Sequence, residues 1–181
     1  HPNEEPIKGI KKMKQTDNFK FDEANIMNEL VYRNLSEDAK RQICAWKYGG
    51  EYDLYNLPAY EEMQVRQIGF MNPKSEKNYY GFWDESILVG FVNILEEKEE
   101  VFIGIGVNPD LCNKHYGQRM LLITYEISKK LYPNKPLYLE VRTWNIRAVK
   151  CYQKAGFRID GQAYELTTGI GTGTFYRMIR E

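Results

Sequence analysis

The chain has 181 residues, enough for one domain with a sizeable core, and its 43% hydrophobic and 28% charged content is that of a globular protein. Lys plus Arg balances Asp plus Glu at 25 each, which removes the electrostatic motive for nucleic-acid binding, and no apolar run approaches the roughly 20 residues that span a bilayer. Three unpatterned cysteines (Cys44, Cys112, Cys151), two histidines and a polar start without a secretory signal suit a cytoplasmic protein with reduced thiols and no metal site.

Residues 1 to about 27 are rich in Lys, Asn, Glu and Gln and lack a period. They read as an extension or expression-derived arm, with Met27 an original start, or as a short helix packed on the domain; a single domain then covers 28–181. Glu29 to Arg33 alternates like a strand, and Ser36 stands as an N-cap with Glu37 and Asp38 in the first turn of a helix running to about Tyr48, ended by Gly49-Gly50. An aromatic stretch (Tyr52, Tyr55, Tyr60) leads into a second helix from about Ala59 to Ile68. Three strands follow at 79–83, 87–95 and 101–107, joined by short turns that make an antiparallel meander. Met120, Ile123, Ile127 and Leu131 then recur at helical spacing, which predicts a helix over 116–131. Leu137 to Val141 is a strand, Asn145 to Ala155 a helix closed by Gly156, and 157–159 and 175–179 are final strands around a Gly/Thr-rich loop, 167–174. The order predicts an α/β (α+β) fold with a central mixed, mostly antiparallel sheet of about seven strands and helices on both faces; the strand-helix-strand step from Val101 to Val141 should make those two strands parallel neighbours.

Two segments carry chemistry. The first runs from Ile105-Gly106-Val107 through Cys112-Asn113-Lys114-His115-Tyr116-Gly117-Gln118 into the long helix. A strand-to-helix loop offers free backbone N–H groups and a positive helix end to an anion, with Lys114 and Arg119 adding charge, although any such loop has this general form. The second is Leu139-Glu140-Val141-Arg142 followed by Asn145, Ala148, Tyr152 and Gly156-Phe157. Asn145, Ala148 and Tyr152 share a helix face. Taken singly, Asn145 reads as an N-cap, Tyr152 as a half-buried aromatic and Gly156 as a C-cap.

Together they resemble the acetyl-CoA-binding core of the GNAT superfamily of N-acetyltransferases, over about Val101 to Asp160. The signature Asn-x-x-Ala-x-x-x-Tyr-x-x-x-Gly-Phe is matched in full by Asn145, Ala148, Tyr152, Gly156 and Phe157. The Leu-Glu-Val-Arg lead-in also resembles bacterial acetyltransferases of ribosomal-protein N-termini. The usual loop, Arg/Gln-x-x-Gly-x-Gly/Ala, is altered: Cys112 replaces Arg or Gln and His115 the first Gly, while Gly117 keeps the second. With its Cβ, His115 is expected at an ordinary negative φ. The altered loop bears on affinity for the cofactor.

The resemblance implies a GNAT-like fold and acetyl-CoA as acyl donor. Its pantetheine arm would enter a gap between the strands ending at Val107 and Val141, bonded by backbone near Ile105 and Val107. Its diphosphate would rest on Cys112, Asn113, Lys114, His115, Tyr116, Gly117 and Gln118, with Arg119 adding charge, and Asn145 and Ala148 would line the arm. Tyr152 would be the general acid, and Glu140, twelve residues earlier, the base; the bland alternative pairs Glu140 with Arg142 or a neighbouring strand. The acceptor would be a small-molecule amine or a protein amino group, with a homodimer allowed. Trp46, Tyr48, Tyr52, Tyr55 and Tyr60 fall where the family shapes its acceptor pocket, though packing explains them more simply. A non-catalytic acyl-CoA-binding member of the same fold is the alternative.

Overall fold

The computed structural model describes residues 29–181, so the expected extension at 1–27 lies outside the described residues. Among the described residues the elements are β1 (Val31–Asn34), α1 (Glu37–Ala45), α2 (Tyr60–Arg66), β2 (Tyr79–Asp84), β3 (Ile87–Glu96), β4 (Val101–Val107), α3 (Tyr116–Leu131), β5 (Leu137–Arg142), α4 (Ile146–Lys154), β6 (Arg158–Ile159), β7 (Tyr164–Thr168) and β8 (Gly171–Arg180). The eight strands form a mixed, mostly antiparallel sheet in the order β1-β2-β3-β4-β5-β8-β6, with β7 pairing β8, and β4 and β5 are parallel as expected. The described chain divides into two compact units, one of 29–92 with 106–112, the other of 93–105 with 113–181.

In the first unit, β1 lies antiparallel to β2 with Tyr32 opposite Phe82 and Arg33 opposite Gly81. Ser36 begins α1 as read from sequence, its hydroxyl accepting the Ala39 N–H at 3.1 Å, with Glu37 and Asp38 at the positive end. Ala39, Ile43 and Cys44 then face a core completed by Tyr60, Met63, Phe70, Trp83 and Leu88. Lys40 is buried on the same helix because two carboxylates meet it, Glu37 at 3.1 Å and Glu76 at 2.5 Å. Burial works to lower its pKa, but those two hydrogen bonds overturn that and leave it raised.

In the second unit, the inward positions of β5 (Leu137, Leu139, Val141) and one face of α3 (Met120, Leu121, Ile123, Ile127) are buried. Thr124 and Ser128 are buried on that helix too, while Leu131, which the periodicity placed on the face, is exposed. β5 is paired along its whole length with β8, from Leu137 opposite Arg180 to Arg142 opposite Phe175.

Three expectations change. The helix expected to reach Tyr48 ends at Ala45, where Trp46 turns extended (ψ 136°) and donates its N–H to Ile43 O, its side chain packing on the core. The second helix stops at Arg66 because Gln67 takes a left-handed conformation (φ 52°). The Gly/Thr-rich segment is no loop: Thr167 and Thr168 close β7, Gly171 opens β8, and the hairpin raises the count from about seven strands to eight. Its threonines are β-branched and suit a pleat, which glycine content obscured.

A Cβ at Gly81 would come within 2.7 Å of the Trp83 ring and 2.9 Å of Leu35 Cδ2. Gly81→Ala is therefore expected to cost about 1–3 kcal/mol, read as a lower urea midpoint at unchanged slope.

Candidate functional site

The seam between β4 and β5 is short. Registered pairing covers only Val101 with Leu137 and Phe102 with Tyr138, although β4 continues to Val107 and β5 to Arg142. Val101 donates its N–H to Pro136 O at 2.9 Å, so it turns its backbone groups toward β5. Backbone direction alternates along a strand, and the Phe102–Tyr138 pair engages the Ile103 N–H, so the C=O of Ile103 and the N–H and C=O of Ile105 lie on the same edge past the last registered pair. Val107, the other backbone site expected from sequence, belongs to the first unit. Its carbonyl accepts the Tyr48 hydroxyl at 2.6 Å, and burial pushes that phenol well above its ordinary pKa.

The helix start at Tyr116 has an unusual cap. His115 is left-handed (φ 66°, ψ 13°) and makes no side-chain cap bond, and the first turn of α3 holds no acidic residue. This corrects the expected negative φ: the loop keeps the backbone region a glycine favours, and histidine is among the residues that tolerate it. Asn113, two residues earlier, is left-handed as well (φ 69°). By contrast α1 and α4 are closed by their own side chains, Ser36 and Asn145. The first N–H groups of α3 thus point out of a helix end whose positive pole no carboxylate of its first turn offsets. Lys114, Gly117, Gln118 and Arg119 surround that end by sequence; Arg119 donates its backbone N–H to His115 O at 3.2 Å. Cys112 lies in the first unit with its thiol 3.8 Å from Asn108 O.

The signature around α4 is the frame of that helix. Asn145 is buried and its Oδ1 accepts the Ala148 N–H at 3.2 Å, so it is an N-cap. At the other end Gly156 N–H donates to Gln153 O and Phe157 N–H to Tyr152 O, each at 3.0 Å, with Gly156 at φ 98°. This is a Schellman closure, and buried Phe157 anchors it. Tyr152 is held three positions from the C-terminal cap, half-buried.

Glu140 sits mid-strand on the other face of β5 from Leu139 and Val141. Among the described residues it meets no cation; its Oε2 accepts the Tyr164 hydroxyl of β7, which lies beyond β8, at 2.8 Å. Burial first, then this bond, pushes the Tyr164 phenol well above its ordinary pKa, so it stays a donor. Arg177 lies opposite Glu140 in β8 but is engaged elsewhere, with Glu100 at 2.5 and 3.1 Å and Asp160 at 3.2 Å. Its guanidinium also covers the Tyr138 ring at 4.4 Å. The structure therefore joins Glu140 to Tyr164, which the sequence reading did not single out, rather than to Tyr152. Alternation over Tyr164-Glu165-Leu166 signals the strand, but not its contact with Glu140. The first-unit aromatics mostly pack: Tyr60 is in the core, Trp46 faces Phe91 at 6.3 Å, and Tyr52 stacks on Tyr55.

The sequence model of the acetyltransferase (GNAT) family matches residues 40–157. The chain belongs to the GNAT acetyltransferase family. Among curated proteins none matches it by sequence. Solved structures similar to this GNAT chain include a GNAT-family acetyltransferase from Bacillus anthracis, with a TM-score of 0.69 at 16% identity, covering 83% of this chain and 93% of that one. A spermidine N-acetyltransferase chimera of Vibrio cholerae SpeG and hSSAT has a TM-score of 0.67 at 19% identity, covering 83% and 94%. AAC(6')-Ib in complex with paromomycin and acetyl-CoA has a TM-score of 0.64 at 16% identity, covering 84% and 93%. At these identities the likeness establishes the shared fold.

Two tests follow from the geometry of this GNAT chain. His115→Gly removes the left-handed cost of roughly 1 kcal/mol but adds freedom to the unfolded chain, so the urea midpoint should hold or rise, whereas His115→Val should lower it. Tyr32, Tyr48, Tyr138 and Tyr164 all have raised pKa values with burial as the first cause. The folded state therefore retains protons that the unfolded chain loses from about pH 10, the ordinary tyrosine value, upward. Stability should be unaffected by these groups well below that pH and fall as the pH rises through it, seen as a urea midpoint that falls from about pH 10 to about pH 12.

Proposed function

We propose that this chain transfers the acetyl group of acetyl-CoA to a primary amine of a small molecule or protein, by direct attack within a ternary complex. The observation that carries the reading is the early end of the β4–β5 pairing, which leaves the β4 edge from the Ile103 carbonyl through Ile105 open to an extended amide-bearing chain. The uncapped start of α3 suits a diphosphate, with Lys114, His115, Tyr116, Gly117, Gln118 and Arg119 around it. Membership of the GNAT family and the neighbours named for spermidine acetylation and for a paromomycin complex with acetyl-CoA agree with an amine acceptor.

Acetyl-CoA supplies an activated acetyl thioester. The amine must be neutral to attack it, and an amine of pKa near 10 is mostly protonated at pH 7. Glu140 takes the ammonium proton, directly or through water, with one oxygen fixed by Tyr164. Tyr152 donates its phenol proton to the sulfur as the carbon–sulfur bond breaks. No acetyl-enzyme is required, and burial pushes the Cys44 and Cys151 thiols up, away from the nucleophilic thiolate.

Calorimetric titration with acetyl-CoA, followed by thiol release over peptides, polyamines, aminoglycosides and amino acids, tests the reading. Tyr152→Phe should lower kcat about 100-fold with acetyl-CoA affinity within about twofold, and Glu140→Gln should lower it by a similar factor. Full activity in Tyr152→Phe would remove the acid role. A second reading, a non-catalytic acyl-CoA-binding member, is favoured by Cys112 and His115 in the loop; it predicts tight acetyl-CoA binding with no thiol release from any amine.

A further inference from the structure

The face of β5 that carries Glu140 also carries Arg142, two residues further along. Residues so spaced project to one side of the sheet with Cα atoms about 7 Å apart. The cations on and around β8 have partners: Arg177 binds Glu100 and Asp160, Arg180 donates to Ala155 O at 3.0 Å, and Arg158 faces Glu181 at 3.8 Å. Arg142 has none of these. Its guanidinium lies over the Phe175 ring at 4.7 Å and makes no hydrogen bond or ion pair among the described residues.

The group is nevertheless held. Gly173, across β8, leaves the room it occupies, since a Cβ there would come within 2.1 Å of Arg142 Nη1. The Phe175 ring and the bare backbone of Gly173, on one face of β8, give the guanidinium its place, and its N–H donors meet no acceptor among the described residues. A planar fork in that state matches a carboxylate, which it can bind through two parallel hydrogen bonds. Glu140, the nearby anion on β5, is bonded to Tyr164 instead.

We propose that Arg142 binds a carboxylate on the acceptor, so that the substrate class is an amine that also bears an acid, rather than a bare polyamine. The proposal rests on the transferase reading and deepens it: Glu140 meets the ammonium end and Arg142 the acidic end of one molecule. The opposite charges, one strand repeat apart, set both the polarity and the approximate span of the acceptor.

Matched pairs differing only by the acid test this: 6-aminohexanoate against pentylamine, and 4-aminobutyrate against propylamine, with spermidine as the polycation. The acid-bearing member should have the higher kcat/KM by at least about tenfold, the difference lying in KM. Arg142→Gln should collapse that ratio to within about threefold, and Arg142→Lys should keep part of it. Gly173→Ala, which keeps the charge but fills the space of the guanidinium, should also lower the ratio and serves if Arg142→Gln does not fold. A wild-type ratio near or below one, a preference for spermidine, or a ratio unchanged in Arg142→Gln overturns the proposal. Acetyl-CoA binding without turnover of any amine removes the transferase reading instead. Binding of N-acetyl-6-aminohexanoate then decides for Arg142: weaker binding in Arg142→Gln upholds the carboxylate site, and equal binding sinks it.

Discussion

Backbone hydrogen bonding across the β4–β5 seam is the constraint on which the site depends. An interior strand normally satisfies both edges, and a buried peptide group without a partner costs on the order of 1–3 kcal/mol. Here the pairing lapses after Phe102 and Tyr138, while β5 remains fully paired with β8. The start of α3 repeats the pattern in another element, a long helix without the side-chain cap that closes α1 and α4. Two elements of different type thus offer main-chain groups outward, which is a property of recognition by backbone rather than by side chain. On the proposed acetyl-CoA reading, Cys112 and His115 leave the offered groups in place, because main-chain groups belong to every residue type as long as the loop keeps its conformation.

The β5–β8 face sorts its charges by partner. Arg177 ties the turn residue Glu100 and the β6-flanking Asp160 to the sheet and covers Tyr138, and these bonds account for its charge. Glu140 is held by a neutral phenol, which orients one oxygen without cancelling the charge. The same contrast separates Arg177, a brace, from Arg142, which has a seat but no counterion among the described residues.

The parts legible in sequence were those written locally. The span of α3 and the parallel step to β5 followed from periodicity and chain order, and Asn145 through Phe157 was readable because caps are fixed by neighbours in sequence. What escaped depended on distance. Tyr164 reaches Glu140 through the pairing of β7 with β8, and Tyr48 reaches Val107 across 59 positions, neither of which leaves a local pattern. The backbone of His115 escaped for another reason: residue identity sets a preference for φ, and the surrounding loop overrode it. The hairpin at 167–174 was hidden by composition, since glycine and threonine together read as a loop until their pairing is seen.

The closure of α4 at both ends has a consequence for how this chain can vary in length. Asn145 fixes where the helix begins, and the bonds from Gly156 and Phe157 fix where it stops, so the segment between them works as a ruler. One inserted residue would rotate everything after it by about 100° and advance it by about 1.5 Å. Tyr152 would then point to a different side of the helix although every cap could re-form. Insertions and deletions should therefore be tolerated at the β7–β8 tip, around Gly169 and exposed Ile170, and excluded from the twelve-residue interval that aims this phenol.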